Sequence, residues 1–442
     1  MAEKKIYEYD RLYHVVQSYT NFAFRNFYRK IVIKGQENFP KDRPYIIAPN
    51  HQNALMDALV FVYLIKEQPV FMARADIFGK NKTIDKILYF MNIMPIFRIR
   101  DGYESLGKNE EYFEKAVEVL EHNIPLCLFA EGRHNDKHQQ LPLVKGMFRI
   151  AFRAQERLRN KNLQIVPVGI DYEEYSRFGR NLVINIGKPI DVAPFYESYL
   201  TDPVVGINEI RNVVGEKMSD QMLNIHSKEH YECFYDLCYL LTPFVLKKNE
   251  QKDSVWNKFL SRKEIANQLD YIEQTDGSSA KEIEKNYSRY HYLLMKYRIA
   301  NETPDANNSP FVLFGKLLLA ILFLPLAFTG FLLNLIPFMV PYLVSLKIKD
   351  TQFKSTVKFV VGLVLFPLYY IILTIIGAFE LPNGWWALAI PIVGYLLGKF
   401  AWAYSRTFRF FCKQIKYLFV PKGVRNEIQK LKEIIIGIVF GK

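Results

Sequence analysis

The stretch PYIIAPNHQNALMDALVFVYLI, residues 44–65, reads as three consecutive pieces. An apolar run, PYIIAP, has the β-branched and aromatic make-up of a buried strand. A polar loop, NHQN, follows, and a largely apolar run beginning at Ala54 predicts a helix over 54–66. Strand, polar loop and helix in that order are the unit of an α/β fold. Five further runs read as strands: KIVIKG, PVFMAR, PLCLFA, LQIVPVGI and LVINIG. Helical stretches separate them, among them the charged, amphipathic 105–122. Residues 31–200 are therefore expected to form an α/β domain, a mixed or largely parallel sheet flanked by helices.

The remainder divides by composition. Residues 1–30 interleave aromatic and apolar side chains with Arg11, Arg25, Arg29 and Lys30. An amphipathic helix lying in a membrane interface and a core helix of the α/β domain fit that pattern about equally. Residues 201–310 are charged, tyrosine-rich and helical by period, and are read as a connector or cap. The last third, 311–442, contains long apolar runs at 311–346, 357–379 and 385–404, ending in a basic tail. The second and third match the roughly 20 residues that a helix needs to cross hydrocarbon. Trp385, Trp386, Trp402 and Tyr404 flank the third, as interfacial aromatics do. A C-terminal helical transmembrane region follows from these runs.

Charge sets the expected topology. The link KIKDTQFKSTVK holds Lys347, Lys349, Lys354 and Lys358 against one acid, and Arg406, Arg409, Lys413 and Lys416 follow the third run. Both segments should be cytoplasmic. With the α/β domain also cytoplasmic, 311–346 begins and ends on one side. A hairpin, either re-entrant or crossing twice and bent around the Pro325–Pro341 region, is the expected result.

The whole chain has 442 residues and carries 58 Lys and Arg against 45 Asp and Glu, a formal charge of +13. That excess points to an anionic partner such as a membrane surface or a phosphorylated substrate. Its four cysteines, Cys127, Cys233, Cys238 and Cys412, have no metal-finger spacing and lie in apolar surroundings, so buried thiols are expected.

Four clusters inside the α/β domain could carry chemistry: NHQNALMDAL, MPIFRIRDG, FAEGRHNDK and VPVGI. Their order and spacing resemble the four blocks of the glycerolphosphate/lysophosphatidic acid acyltransferase family. The resemblance covers about residues 40–190. His51-x5-Asp57 is one residue longer than the usual first block and looks like the branch with fungal-type glycerol-3-phosphate acyltransferases. Met94 stands in place of a leading glycine, and Ala130 in place of a proline. Phe129, Glu131 and Gly132 match the third block, and Arg100 matches the second-block arginine. RHN stands where Thr-Arg-Ser is common, which leaves the family arginine's role between Arg133 and His134.

The resemblance implies transfer of a fatty acyl group from a thioester to a hydroxyl of glycerol-3-phosphate or 1-acylglycerol-3-phosphate. Such a step needs a base, and a neutral imidazole suits it. A carboxylate on the other ring nitrogen would fix the tautomer and stabilise the imidazolium. His51 and Asp57 are the expected catalytic pair. An i,i+6 spacing does not share one face of a helix, so His51 belongs in the loop, with Asn53 a candidate N-cap and Asp57 in the first turns. Arg100, Arg133 and Lys145, with Arg98 in reserve, are the candidates for the acceptor's phosphate. The resemblance places Glu131 near the acceptor hydroxyls or as an orienter of basic groups, with Gly132 beside it in the acceptor site. His134 and His138, in the polar stretch RHNDKHQQL, read as solvated. No metal site and no cofactor are expected. The expected partners are membrane phospholipids and an acyl-CoA or acyl-carrier-protein thioester, with no nucleic acid and an open oligomeric state. A lipid-binding or scaffold protein on a degenerate acyltransferase fold is the competing reading.

Overall fold

The computed structural model describes residues 5–97, 107, 109–158 and 161–441. The chain forms two compact units. The first takes in Met1–Asn224 with two short later segments, Ser254–Phe259 and Ile348–Thr356; the rest forms the second.

The first unit is built on a mixed sheet. Its strands are β1 (Lys30–Lys34), β2 (Tyr45–Pro49), β3 (Val70–Arg74), β4 (Ile93–Ile96), β5 (Leu126–Cys127), β6 (Gln164–Tyr172), β7 (Asn181–Ile186) and β8 (Ile190–Asp191). The order is β1-β7-β6-β2-β5-β3-β4, with β8 on β6. Pairing is parallel from β6 through β2, β5 and β3 to β4, and antiparallel between β6 and β7. The α/β expectation holds. The strands β4 and β8 were not among the runs read from sequence, and both are short.

Every residue of β2 is buried, and all of β6 but Gln164. Helices cover both faces of such strands, which is why they read as unbroken apolar runs. The core gathers Ile46, Val70, Leu126 and Ile165 from the sheet with Phe148, Ile150 and Phe152 from the helix Gly146–Arg157. The helix Pro203–Ser219 adds Ile207, Ile210, Val214 and Met218 to the same core. Those positions recur at helical spacing on one face. The α/β unit thus extends to Asn224, past the boundary expected at residue 200.

The N-terminal helix, Arg11–Phe27, buries Tyr13, Gln17, Thr20, Phe24 and Phe27. Gln17 donates from Nε2 to the carbonyls of Val62 and Ile65, tying it to the helix Leu55–Leu64. Its other face leaves Leu12, Val15 and Phe22 about 60% exposed (62%, 61% and 58%). One face is core and the other apolar and open.

In the second unit three helices are long and apolar enough to cross a membrane: Pro310–Leu346, Thr351–Glu380 and Gly384–Leu418, the last two including their 3-10 leads. The hairpin expected over 311–346 is replaced by one helix of 37 residues with Pro325, Pro337 and Pro341 inside it. Each proline removes one N–H, whereas leaving the helix in an apolar medium would orphan several backbone groups at once. Asn334 does not break the helix either. Its Nδ2 donates to the carbonyls of Gly330 (2.9 Å) and Gly394 (3.0 Å), and its Oδ1 accepts from the Tyr370 hydroxyl (2.8 Å). Gly398 packs against it, where a Cβ would come within 2.8 Å of Nδ2. Cys127, Cys233 and Cys238 are buried thiols; Cys412 is only half-buried, a departure from expectation.

Backbone packs directly on β6 at Gly169, where a Cβ would lie 2.1 Å from the Gln221 carbonyl oxygen. Gly169→Ala must push that segment off the sheet. Overpacking of this kind costs about 1–3 kcal/mol, so thermal unfolding of the variant should show a lowered Tm.

Candidate active site

Three parallel neighbours, β5, β2 and β6, end together, and the residues that follow them form the site. His51 lies two residues beyond β2, Phe129 and Glu131 follow β5, and Tyr172 is the last residue of β6. Side chains past the carboxyl ends of parallel strands converge on one crevice, the usual place for ligands in open α/β sheets.

His51 is in the loop and Asp57 in the first turn of the helix Leu55–Leu64. The imidazole Nδ1 is 2.8 Å from Asp57 Oδ2. A carboxylate only accepts, so Nδ1 carries the proton and Nε2 presents its lone pair. Asp57 is fully buried. Its charge is met by two backbone amides, Gln52 N at 2.8 Å and Asn53 N at 2.7 Å, both on Oδ2. The Tyr172 hydroxyl donates to Oδ1 at 2.6 Å. Burial drives the phenol's own titration well above its ordinary value, with the Asp57 charge adding to it, so Tyr172 remains a donor.

Asn53 is not the N-cap. Ala54 takes that position, at φ 44° and ψ −125°. A non-glycine residue there costs about 1–3 kcal/mol, and the loop holds it because Asp57 draws the preceding two amides inward. The Asn53 side chain is used elsewhere. Its Nδ2 donates to the Tyr175 carbonyl at 3.1 Å, and its Oδ1 accepts from the Ser355 hydroxyl.

Glu131 is 5% exposed, and its two oxygens accept from His51 N and Leu141 N, each at 3.2 Å. It ties the loop after β5 to the loop after β2. Burial pushes its carboxyl up to about 8 against the pull of those two amides. Gly132 follows at φ +66°, where a Cβ would touch Val144 Cγ1 at 3.0 Å. Arg133 is exposed, close enough to Glu131 for its charge to act on that carboxyl. Lys145 is exposed at the start of the helix Gly146–Arg157. Arg98 and Arg100 lie outside the described residues.

The two histidines expected in solvent are packed instead. His134 meets the His51 ring edge-on, with centroids 5.5 Å apart, and its Nε2 is 3.5 Å from Asp350 Oδ2. Burial, and then the His51 charge, lower its pKa. His138 is buried and pairs with buried Asp171, Nδ1 to Oδ1 at 3.3 Å. Polar neighbours in sequence gave no sign of either contact, because the stretch folds back over the sheet end. Phe129 stacks on His51 at 4.2 Å and holds the ring from the other side. Tyr172 and the segment from Asp350 to Ser355 carry no site signal of their own in the sequence, and Phe129 stands out only as part of the third block. Tyr172 stands two residues beyond the VPVGI run, close enough for that run to have led to it. Among the described residues no group of three or more His, Cys, Asp or Glu could hold a metal.

The raised Glu131 carboxyl has a pH signature. The folded protein holds the proton up to about 8, while the unfolded chain releases it near the ordinary 4.5. That contribution to stability is full below about 4.5 and is lost as pH rises through about 8. Glu131→Gln lacks it and also faces one backbone N–H with an amide NH2. The variant should melt below the native protein at pH 5, and the gap should narrow by pH 8.

The sequence model of the acyltransferase family matches residues 30–171. A 1-acyl-sn-glycerol-3-phosphate acyltransferase of Borreliella burgdorferi is 28% identical over 158 residues, 36% of this chain and 57% of that protein. The alpha form of that enzyme from Mus musculus is 25% identical over 28% of this chain and 42% of its own length. Glycerol-3-phosphate O-acyltransferase 1 of Saccharomyces cerevisiae is 30% identical over 80 residues, 18% of this chain and 10% of that one. The matched regions thus span about half of the first two relatives and much less of the third. A solved structure, the 1-acyl-sn-glycerophosphate (LPA) acyltransferase PlsC from Thermotoga maritima, shares 20% identity. It covers 47% of this chain and 79% of that chain at a TM-score of 0.35. Residues 30–171 thus match the acyltransferase model, and the chain is similar to these relatives over part of its length and theirs.

Proposed function

We propose that the protein transfers a fatty acyl group from an acyl thioester to a hydroxyl of 1-acylglycerol-3-phosphate or glycerol-3-phosphate. The carrying observation is the imidazole held at 2.8 Å by a fully buried carboxylate beyond the strand ends. His51 Nε2 takes the hydroxyl proton as the oxygen attacks the thioester carbonyl carbon. The carbon–sulfur bond then breaks, and the thiolate leaves with the proton returned by the imidazolium. Asp57 keeps the ring in the tautomer that leaves Nε2 basic and offsets the positive charge it acquires. Exposed Arg133 and Lys145 are the described cations offered to the acceptor's phosphate, and acyl-CoA or an acyl-carrier-protein thioester is the donor.

Membrane association follows from the three apolar helices, and the open face of the N-terminal helix is read as an interfacial contact. We place the catalytic unit on the cytoplasmic side, where acyl thioesters are made. Both ends of the helix Pro310–Leu346 belong to that side. Residues 348–356 fold with the α/β unit. Between Asn224 and Ser309 no described helix is long and apolar enough to cross. A helix with both ends on one side does not cross, so this one is embedded from one face, and the next two make the passage out and back.

Two measurements test these readings. In an assay offering both acceptors and both donors, His51→Ala should lower turnover about 10²–10⁴-fold. Tyr172→Phe, which removes one hydrogen bond to a charged group worth about 1.5–3 kcal/mol, should cost roughly 10- to 100-fold. A native protein that binds lipid and turns over none of the pairs would favour the scaffold reading. For topology, single-cysteine reporters at exposed Ser309 and Lys347 should both be labelled from the cytoplasmic side; a Lys347 reporter reached only from the other side would make the helix a crossing one.

A further inference from the structure

Residues Ile348–Thr356 join two apolar helices yet belong to the α/β unit. Gln352 and Ser355 are buried there. Four contacts fasten the segment to the site. Ser355 donates to Asn53 Oδ1, 302 positions away in the chain. Thr351 Oγ1 lies 3.2 Å from the Tyr175 hydroxyl. Asp350 Oδ2 is 3.5 Å from His134 Nε2, and Phe353 meets the His134 ring edge-on at 5.4 Å.

We propose that Asp350–Ser355 is a positioning strap of the active site, in which Ser355 fixes Asn53, and through it the Asp57 carboxylate, while Asp350 and Phe353 fix His134 against His51.

The route from Ser355 to the reacting imidazole is short. Asn53 is fully buried, and its side chain is bridged between the Tyr175 carbonyl and the Ser355 hydroxyl. Its backbone N–H is one of the two amides on Asp57 Oδ2, the same oxygen that holds His51 Nδ1. Freeing the Asn53 side chain frees that amide. A second arm runs through His134, whose ring fills the space beside His51 and is held in place by the carboxylate of Asp350 and the face of Phe353. No residue of the strap reaches the reacting atoms, so its members position groups rather than take part in proton transfer.

The inference rests on the acyl-transfer reading for its kinetic part only. Ser355→Ala should lower kcat about tenfold with the KM for both substrates and the Tm retained, and Ser355→Thr, which keeps the hydroxyl, should restore most of it. Ser345→Ala serves as control: that hydroxyl donates to the Tyr342 carbonyl one turn back, in the other unit. Amide hydrogen exchange read by mass spectrometry on the full membrane-bound chain should show faster exchange in Ser355→Ala confined to the segment around Gln52 and Asn53. Unchanged kcat and unchanged exchange overturn the strap. So does a fall in kcat matched by a lower Tm and faster exchange throughout the α/β unit, since Ser355 would then only support the fold. If the native protein transfers no acyl group at all, the functional reading fails, and the exchange pattern still decides the strap.

Discussion

A carboxylate with no access to water is the constraint around which this site is arranged. Asp57 is fully buried, and an isolated charge at that depth costs several kcal/mol unless its oxygens are met by donors. Four donors meet it: two consecutive loop amides, a tyrosine hydroxyl and the imidazole itself. Each comes with a structural demand. The amides require the loop to curl over the helix start, which forces Ala54 to a positive φ. The hydroxyl requires β6 to run on to Tyr172. What remains for the imidazole is one orientation, with Nε2 facing outward.

The sheet makes these demands compatible. Because β5, β2 and β6 are parallel neighbours, their chain continuations leave in the same direction, a few ångströms apart. Glu131 and Asn135 then stitch the two loops to each other. The first accepts from the His51 amide, and the backbone amide of the second donates to the His51 carbonyl at 2.8 Å. A buried acid kept largely protonated below about 8 is suited to bridging backbone amides without adding a second full charge beside Asp57. Glu131 in this position organises the loop, and its oxygens are already occupied before any ligand arrives.

Local signals carried the parts of this that the sequence could report. The strands around residue 50 are apolar on both faces because helices cover them, so their runs were conspicuous. The His51–Asp57 pair is six residues apart and depends on one loop, so its spacing was informative. Tyr172 is 115 residues from Asp57 and completes the carboxylate only through the β2–β6 pairing, a register that no short pattern encodes. His134 was misread because Asn135, Asp136 and Lys137 make its neighbourhood polar in sequence, whereas burial is set by Phe353 and His51 in space. The prolines of 311–346 are helix breakers by the rule that holds in water, yet they lie inside one helix. In an apolar environment, leaving the helix costs more hydrogen bonds than each proline removes.

The strap adds a long-range support to this geometry. Asn53 waits for a hydroxyl that lies 302 residues further along, directly after a 37-residue apolar helix. Without the strap, Asn53 lacks the Ser355 hydroxyl, His134 lacks Asp350, and the Asp57 cage loses its outer support. The first 224 residues contain the sheet, the imidazole and the carboxylate, and the same compact unit also takes in Ser254–Phe259 and Ile348–Thr356. The seating of the Asn53 amide on Asp57 is supported by a segment that lies between two apolar helices in the chain. In this arrangement the outer support of the Asp57 cage comes from a segment far along the chain, so the geometry of the imidazole depends on more than the loop that carries it.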